Sequence, residues 1–206
     1  MRPATLTEPL RLETERLVLR RLTPEDSGGL LRIFSDPEVT RYLEITPLEV
    51  PGEAMALLEY FNDLLDKKQG VRWGIEQKKD GALIGTCGFH TMKLWAFQGE
   101  ISYDLARAYW GKGIVPEACQ ALLRHAYETM GLNRVQAAVL PEAAPSAKVL
   151  EKLGFHREGV LRQAGYWKGR FWDKVSYSLL KREWQEREGG TNATATSQSR
   201  SFVVAL

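Results

Sequence analysis

Hydrophobic and polar residues alternate along several short segments of the chain, and this pattern predicts β-strands. The segments with a two-residue period or a short apolar run are RLVLRRL, VRWGIEQ, ALIGTCGF, GEISYDLA and NRVQAAVL. Lys79-Asp80-Gly81 joins the second and third of them and has the composition of a hairpin turn. A longer stretch, VLRQAGYWKGRFWDKVSYSLL, predicts another hairpin towards the end of the chain.

Other segments combine helical spacing of apolar residues with the start signals of helices. Thr23-Pro24-Glu25-Asp26 and Asp36-Pro37-Glu38 each place a capping residue before a proline and an acidic residue. PGEAMALLEYFNDLLDKK and PSAKVLEKL also have helical spacing. The clearest helix ends at Gly131, and its apolar stripe consists of Val115, Ala118, Cys119, Leu122, Leu123, Ala126, Tyr127 and Met130. Strands and helices in this order predict an α/β (α+β) fold with helices on both faces of a sheet.

The composition of the 206-residue chain is typical of a single globular domain, since 44% of the residues are hydrophobic and 26% are charged. We expect an N-terminal arm at residues 1–11, the domain at residues 12–184 and a flexible tail at residues 185–206. Gly, Thr, Ser and Asn become frequent in that tail. Its apolar end, FVVAL, is expected to be frayed, with docking on the domain or on a partner subunit as the alternative.

The charge pattern and the cysteines exclude several classes of function. The net charge of +2 is spread without a basic stripe, so we expect no direct nucleic-acid binding. No apolar run has the length of a signal-peptide core or of a membrane span, which predicts a cytoplasmic protein without membrane contact. Cys87 and Cys119 lie within apolar patterns and are expected to be buried free thiols. They form no ligand spacing with the three histidines, so no metal is expected.

Gly111 and Gly113 precede the clearest helix and are candidates for anion binding. The first N–H groups of a helix have no intrahelical acceptors and lie at the positive end of its dipole. Glycines allow backbone geometry in which successive N–H groups converge on a phosphate. A tight strand-to-helix turn without a ligand is the alternative at this point. A Walker motif is excluded because Gly113 follows Lys112, and a dinucleotide fingerprint is excluded because Pro116 replaces its third glycine.

Five segments resemble, in the right order, the GNAT N-acetyltransferases, and in particular the Rim-type branch that contains ribosomal-protein N-acetyltransferases. These segments are LETERLVLRRLTPED, SDPEVTRYL, GTCGFH, GEISYDLARAYWGKG and SAKVLEKLGFHREGVLR. The glycine loop resembles the coenzyme A pyrophosphate loop of that family, Q/R-x-x-G-x-G/A, although Trp110 and Val115 depart from it and only Gly113 matches strictly. The resemblance spans roughly residues 12–184. It implies a strongly twisted mixed sheet whose fourth and fifth strands splay apart around acetyl-CoA.

The same resemblance implies a set of coenzyme contacts. Backbone groups of Leu105 and Ala106 would bond the pantetheine amides. The residues around the pyrophosphate would be Trp110, Gly111, Lys112, Gly113, Ile114 and Val115. Ser146 would lie near the coenzyme sulfur and assist the leaving thiolate, and its alternative role is a helix cap. An asparagine that many relatives place three residues earlier is Ala143 here, so one pantetheine contact is missing or supplied elsewhere.

Catalytic and acceptor residues are also suggested by the resemblance. Glu100 would act as a base on the amine, directly or through water, and its alternative is a solvated glutamate on a polar face with Ser102 and Asp104. Some relatives have an acid at the position of Gly165, so their exact substrate does not transfer to this chain. The candidates for the acceptor groove are Tyr42, Trp73, His90 and Tyr166, with core packing or plain surface exposure as the alternative.

These expectations combine into an acetyl-CoA-dependent N-acetyltransferase in which a primary amine attacks the bound thioester in a ternary complex. No cysteine is placed for a covalent acetyl relay. An α-amine has a lower pKa than a lysine side chain and needs only a weak base, which favours a protein or peptide N-terminus as the acceptor. The alternatives are a small-molecule amine (an aminoglycoside, polyamine or amino acid) and a non-catalytic acyl-CoA sensor. We expect a monomer or a homodimer.

Overall fold

A computed structural model describes residues 11–198 of the chain, and the side chains of residues 11–189. In this part of the chain, eight strands form one sheet in the spatial order β1-β2-β3-β4-β5-β6-β8-β7. The strands are β1 (Leu12–Glu13), β2 (Leu17–Arg20), β3 (Val71–Gln77), β4 (Leu83–Lys93), β5 (Gln98–Leu105), β6 (Arg134–Val139), β7 (His156–Trp167) and β8 (Arg170–Leu180). All neighbours are antiparallel except β5 and β6, which are parallel.

Helices cover both faces of this sheet, as predicted. They are α1 (Ser27–Phe34), α2 (Pro37–Thr40), α3 (Pro51–Asp66), α4 (Ile114–Arg124), α5 (Ala144–Leu153) and α6 (Lys181–Gln198). Helices α4 and α5 pack with strand residues in the larger core, whereas α1 and α3 form a second core on the other face. The mixed sheet between two helical layers confirms the predicted fold class.

The strongest sequence pattern produces the helix that was expected, with one irregularity. The predicted apolar stripe of α4 is buried except for Val115, which is partly exposed. A π-helical turn over His125–Thr129 then follows α4, and the chain leaves it through Gly131, whose φ is +76°. This turn buries His125, whose ring meets the Trp73 ring edge-on at 5.9 Å.

Strands β5 and β6 diverge, and this divergence creates the space for the site. They pair only over Gln98–Glu100 and Arg134–Gln136. Beyond Glu100, β5 continues to Leu105 and β6 to Val139 without pairing to each other. These are the two strands that were expected to splay; the short β1 at the start of the sheet shifts their numbers by one.

The C-terminal region differs from the expected tail. Helix α6 extends to Gln198 and therefore includes residues 185–198 of the segment predicted to be flexible. Its first turns belong to the folded body, because Trp184 is buried against the Tyr127 ring at 5.2 Å and Arg187 donates to the Lys152 carbonyl at 3.1 Å. The arm up to residue 10 and the end of the chain from residue 199, with FVVAL, lie outside the described residues. Across residues 11–198, no helix is both long and apolar enough to cross a membrane.

Candidate active site

A groove of about 530 Å³ lies beside the free end of β5. One end is formed by the glycine loop and the start of α4, one side by α5, and the other side by α2 and the chain that follows it. The lining residues on which the description below depends are Tyr42, Tyr103, Leu105, Trp110, Gly111, Gly113, Val115, Ala143 and Ser146. The groove therefore brings together most of the residues that the sequence assigned to the coenzyme.

The glycine loop presents a row of free backbone donors. Gly111 and Gly113 have φ values of +73° and +72°, in the left-handed region that favours glycine. An added Cβ would meet no atom within 4 Å at Gly111 and only Arg16 Nη2, at 3.6 Å, at Gly113, so the requirement for glycine is conformational. Within the described part of the chain, the five successive N–H groups of residues 111–115 donate to no acceptor. Such a row at a helix N-terminus is suited to an anion.

The free edge of β5 carries backbone groups suited to an extended polar chain, but they are not the predicted ones. The Ala106 N–H donates to the Ile84 carbonyl at 2.8 Å, and the Ala106 carbonyl accepts from the Tyr109 N–H at 2.9 Å. Both groups of Ala106 are therefore occupied, and its predicted bond to pantetheine is wrong. The sequence could not reveal this, because the bond to Ile84 depends on the register of the β4–β5 pair.

The same register identifies the residues that replace Ala106. Backbone groups of an antiparallel strand point alternately towards and away from a given neighbour. Since Ala106 bonds β4, the groups of Leu105 and Tyr103 point away from β4, towards the gap that β6 has left. The Leu105 carbonyl accepts from Trp110 Nε1 at 2.7 Å, which also fixes the indole over the loop.

Ser146 lies in the first turn of α5 and lines the groove, as expected. Its hydroxyl makes no hydrogen bond to any described residue, and the helix begins after Ala143, so Ser146 does not cap α5. The Tyr103 hydroxyl donates to the Ser146 carbonyl at 3.2 Å, and burial raises the pKa of this tyrosine. Tyr103 is a site residue that our sequence analysis did not assign, although the two-residue period of β5 places it on the same face as Leu105.

Glu100 lies where β5 and β6 separate and is paired with Gln136. Gln136 Nε2 donates to Glu100 Oε2 at 3.0 Å, and His90 Nε2 lies 3.5 Å from Oε1. A register shift in β4 makes His90 an extra residue between Phe89 and Thr91, and such bulges redirect side chains. The contact with His90 outweighs partial burial and lowers the pKa of Glu100, so this carboxylate is a weak base. Neither Glu100 nor His90 is among the groove-lining residues.

The polar residues beyond Glu100 on β5 are buried, not solvated. The Arg72 guanidinium is 4% exposed, forms an ion pair with Asp104, and donates to the hydroxyls of Thr86 and Ser102. These partners satisfy the buried charges and hold β3, β4 and β5 together below the groove. The alternative in which Ser102 and Asp104 form a solvated face is therefore wrong.

The four acceptor candidates lie in different environments. Tyr42 lines the groove, and His90 lies beside Glu100. Trp73 is 1% exposed in the larger core, so its assignment to an acceptor groove is wrong; an aromatic residue at that strand position faces α4. Tyr166 is 63% exposed next to Phe171 on the β7–β8 hairpin and does not line the groove.

Gly165 and the cysteines account for two features that the sequence left open. An added Cβ at Gly165 would lie 2.1 Å from the Trp167 ring, so the tryptophan occupies the space that an acidic side chain would need. Trp167 in turn packs against Ala143. Cys87 and Cys119 are free and buried, as predicted, and burial raises the pKa of Cys87 to about 12. A thiol in this state is a poor nucleophile.

Comparison with known proteins identifies similar chains over most of this length. A family model described as an acetyltransferase (GNAT) domain matches residues 16–156. The uncharacterized N-acetyltransferase p20 of Bacillus licheniformis is 43% identical over 173 residues, which are 84% of this chain and 97% of that protein. YdaF of Bacillus subtilis (strain 168), whose naming as a ribosomal N-acetyltransferase is provisional, is 40% identical over 83% of this chain and 94% of its own. A solved acetyltransferase structure from T. thermophilus superposes with a TM-score of 0.77 at 33% identity, covering 91% of this chain and 98% of that one.

Proposed function

Because the chain belongs to the GNAT family of acetyl-CoA-dependent N-acetyltransferases, we propose that its groove binds acetyl-CoA and presents the acetyl group to the α-amine of a protein or peptide. The observation that carries the proposal is the row of five N–H groups at residues 111–115, which face no acceptor in the described part of the chain. The family match accounts for the reaction, and the row of donors accounts for the location.

The coenzyme would lie along the groove from the glycine loop to the point where the strands separate. The pyrophosphate would accept hydrogen bonds from the loop N–H groups at the positive end of α4. Pantetheine amides would pair with the free backbone groups of Tyr103 and Leu105, as an added strand pairs with a sheet edge. Ser146, on the opposite wall, would then lie along the path of the pantetheine arm towards the sulfur.

The reaction needs few side chains, because the thioester is already activated and positioning provides much of the rate. The amine must lose a proton as its nitrogen bonds the thioester carbonyl carbon, and the carbon–sulfur bond then breaks. Glu100 would accept the amine proton through a water molecule, since it is held by Gln136 and His90 outside the groove wall. The Ser146 hydroxyl, free of other partners, would donate to the sulfur as negative charge develops there.

The acceptor class follows from the weakness of this base. An α-amine has a pKa near ~8 and a lysine side chain one near ~10.4, so deprotonating lysine at neutral pH costs roughly 3 kcal/mol more. The neighbouring His90 lowers the pKa of Glu100, which makes the easier deprotonation the more suitable one. The ribosomal designation of YdaF points in the same direction. Protein and peptide N-termini are therefore the acceptors we propose.

Coenzyme A release over a panel of amines tests the proposal. The panel contains peptides with a free N-terminus, the same peptides with a blocked N-terminus and an internal lysine, a polyamine and an aminoglycoside. We expect turnover of the free α-amines. Turnover of the blocked lysine peptides alone, or of the small amines alone, would contradict the acceptor class, and coenzyme binding without any turnover would favour a sensor.

The role of Glu100 has a separate readout in the pH profile. Glu100→Gln is expected to lower kcat/KM most below the pKa of the amine, with recovery at higher pH where the neutral amine accumulates. Glu158→Gln is the matched control, because Glu158 is an ion-paired carboxylate of the same sheet, held by Arg134 at 2.6 Å. Its pH profile should equal that of the wild type. An unchanged profile in Glu100→Gln would remove Glu100 from the reaction.

A further inference from the structure

The turn between β1 and β2 grips the start of α4 through one carboxylate. Glu117 Oε1 accepts from the Thr14 hydroxyl at 2.5 Å and from the Arg16 N–H at 2.9 Å. Glu117 Oε2 accepts from Arg16 Nε at 2.6 Å. Arg16 Nη1 reaches further and donates to the Lys112 carbonyl at 3.0 Å. We call Thr14, Arg16 and Glu117 the N-terminal clamp.

The bond to Lys112 fixes the direction of a donor in the glycine loop. In a trans peptide, the carbonyl of one residue and the N–H of the next point in opposite directions. Arg16 therefore holds the N–H of Gly113 away from itself, and Gly113 lines the groove whereas Arg16 does not. Without this bond, the peptide between two glycines that are free to rotate would have no fixed orientation.

The clamp also resolves an electrostatic conflict at the helix start. Glu117 is an acidic residue in the first turn of α4, where its charge would oppose a phosphate bound at the same end. Although burial alone would raise the pKa of Glu117, Thr14 and Arg16 lower it, so the carboxylate is charged. The guanidinium lies against it and offsets that charge beside the loop.

We propose that Arg16 is a positioning residue for coenzyme binding, holding the glycine loop in the orientation that receives the pyrophosphate and neutralising Glu117 there. This inference rests on the proposed function. It connects a turn near the N-terminus with a loop about 100 positions later, and it gives a role to the sequence LETERL that the reaction itself does not use.

Calorimetric titration with coenzyme A and with 3′-dephospho-coenzyme A tests this role. Arg16→Met keeps the apolar stem but removes the charge and the donors, and we expect Kd to rise about 10- to 100-fold, the usual loss for a hydrogen bond to a charged group. The rise should be equal for both ligands, because they share the pyrophosphate. In the double variant Arg16→Met/Glu117→Gln, the unpaired carboxylate is gone and part of the affinity should return.

The controls separate this role from stability and from the proposed function. Arg134→Met breaks a comparable ion pair on β6, with Glu158, and should leave both Kd values unchanged. Arg16→Lys keeps the charge and serves if Arg16→Met does not fold; its Kd should lie between those of the wild type and a loop without the clamp. Unchanged affinity in a folded Arg16 variant, or a loss confined to the ligand with the 3′-phosphate, would overturn the inference. Absence of coenzyme binding by the wild type would instead overturn the proposed function.

Discussion

Replacement of Gly113 by valine is expected to abolish coenzyme A binding in a protein that remains folded. Gly113 has a φ of +72°, a conformation that costs an L-residue about 1–2 kcal/mol. Space is not limiting, because Arg16 Nη2 at 3.6 Å is the only atom within 4 Å of an added Cβ. The expected loss of stability is therefore conformational, and about 1–2 kcal/mol lowers the Tm of a domain of this size by about 2–8 °C.

The effect on binding should be much larger than the effect on stability. To relieve the strain, the backbone must rotate, which redirects the N–H groups on either side of Gly113. Two lost hydrogen bonds to a charged phosphate, at about 1.5–3 kcal/mol each, raise the Kd by at least about 100-fold. Valine is chosen because β-branching makes the left-handed conformation least accessible.

Titration calorimetry with coenzyme A, together with thermal unfolding, measures both effects. Gly81→Val is the matched control: Gly81 has a φ of +71° in the β3–β4 turn, has open space for a Cβ, and does not line the groove. This control should lose similar stability but keep the wild-type Kd. A folded Gly113→Val protein with the wild-type Kd would refute the assignment of the loop.

Two further predictions follow from single side chains. Ser146→Ala should lower kcat about 100-fold while the Kd for coenzyme A changes little, because the proposed bond to sulfur strengthens only as charge develops; a change in Tm alone would contradict this role. Burial lowers the pKa of His125, so as pH falls below about 6.5 the unfolded chain takes up a proton that the folded chain does not. Urea unfolding should therefore reveal stability falling by at most about 1.4 kcal/mol per pH unit, and His125→Gln should flatten this slope; an unchanged slope would assign it to other groups.

The hydrophobic pattern predicted the fold well, because it reports burial directly. The stripe from Ala118 to Met130 and the alternation in β5 placed α4 and the free strand edge correctly, and Gly111 and Gly113 have the left-handed geometry that their positions suggested. The tail was predicted poorly, since its Gly- and Thr-rich composition concealed a helix that begins with the buried Trp184.

The details of the site depended on contacts that no local pattern encodes. Ala106 is occupied because of strand register, and His90 meets Glu100 because of a bulge in β4. Arg16 and Glu117 are separated by about 100 residues along the chain. Periodicity assigns a residue to a face, but partners across a sheet or between a turn and a helix require the three-dimensional arrangement.

A crystal structure with coenzyme A bound would test the central claim most directly, namely that the glycine loop and the free edge of β5 hold the coenzyme. The account predicts pyrophosphate oxygens within hydrogen-bonding distance, roughly 2.7–3.2 Å, of N–H groups between Gly111 and Val115. It also predicts pantetheine amides paired with backbone groups of Tyr103 and Leu105, and the sulfur beside Ser146. A coenzyme bound with its pyrophosphate away from this loop, or with its pantetheine arm outside the gap between β5 and β6, would contradict the claim.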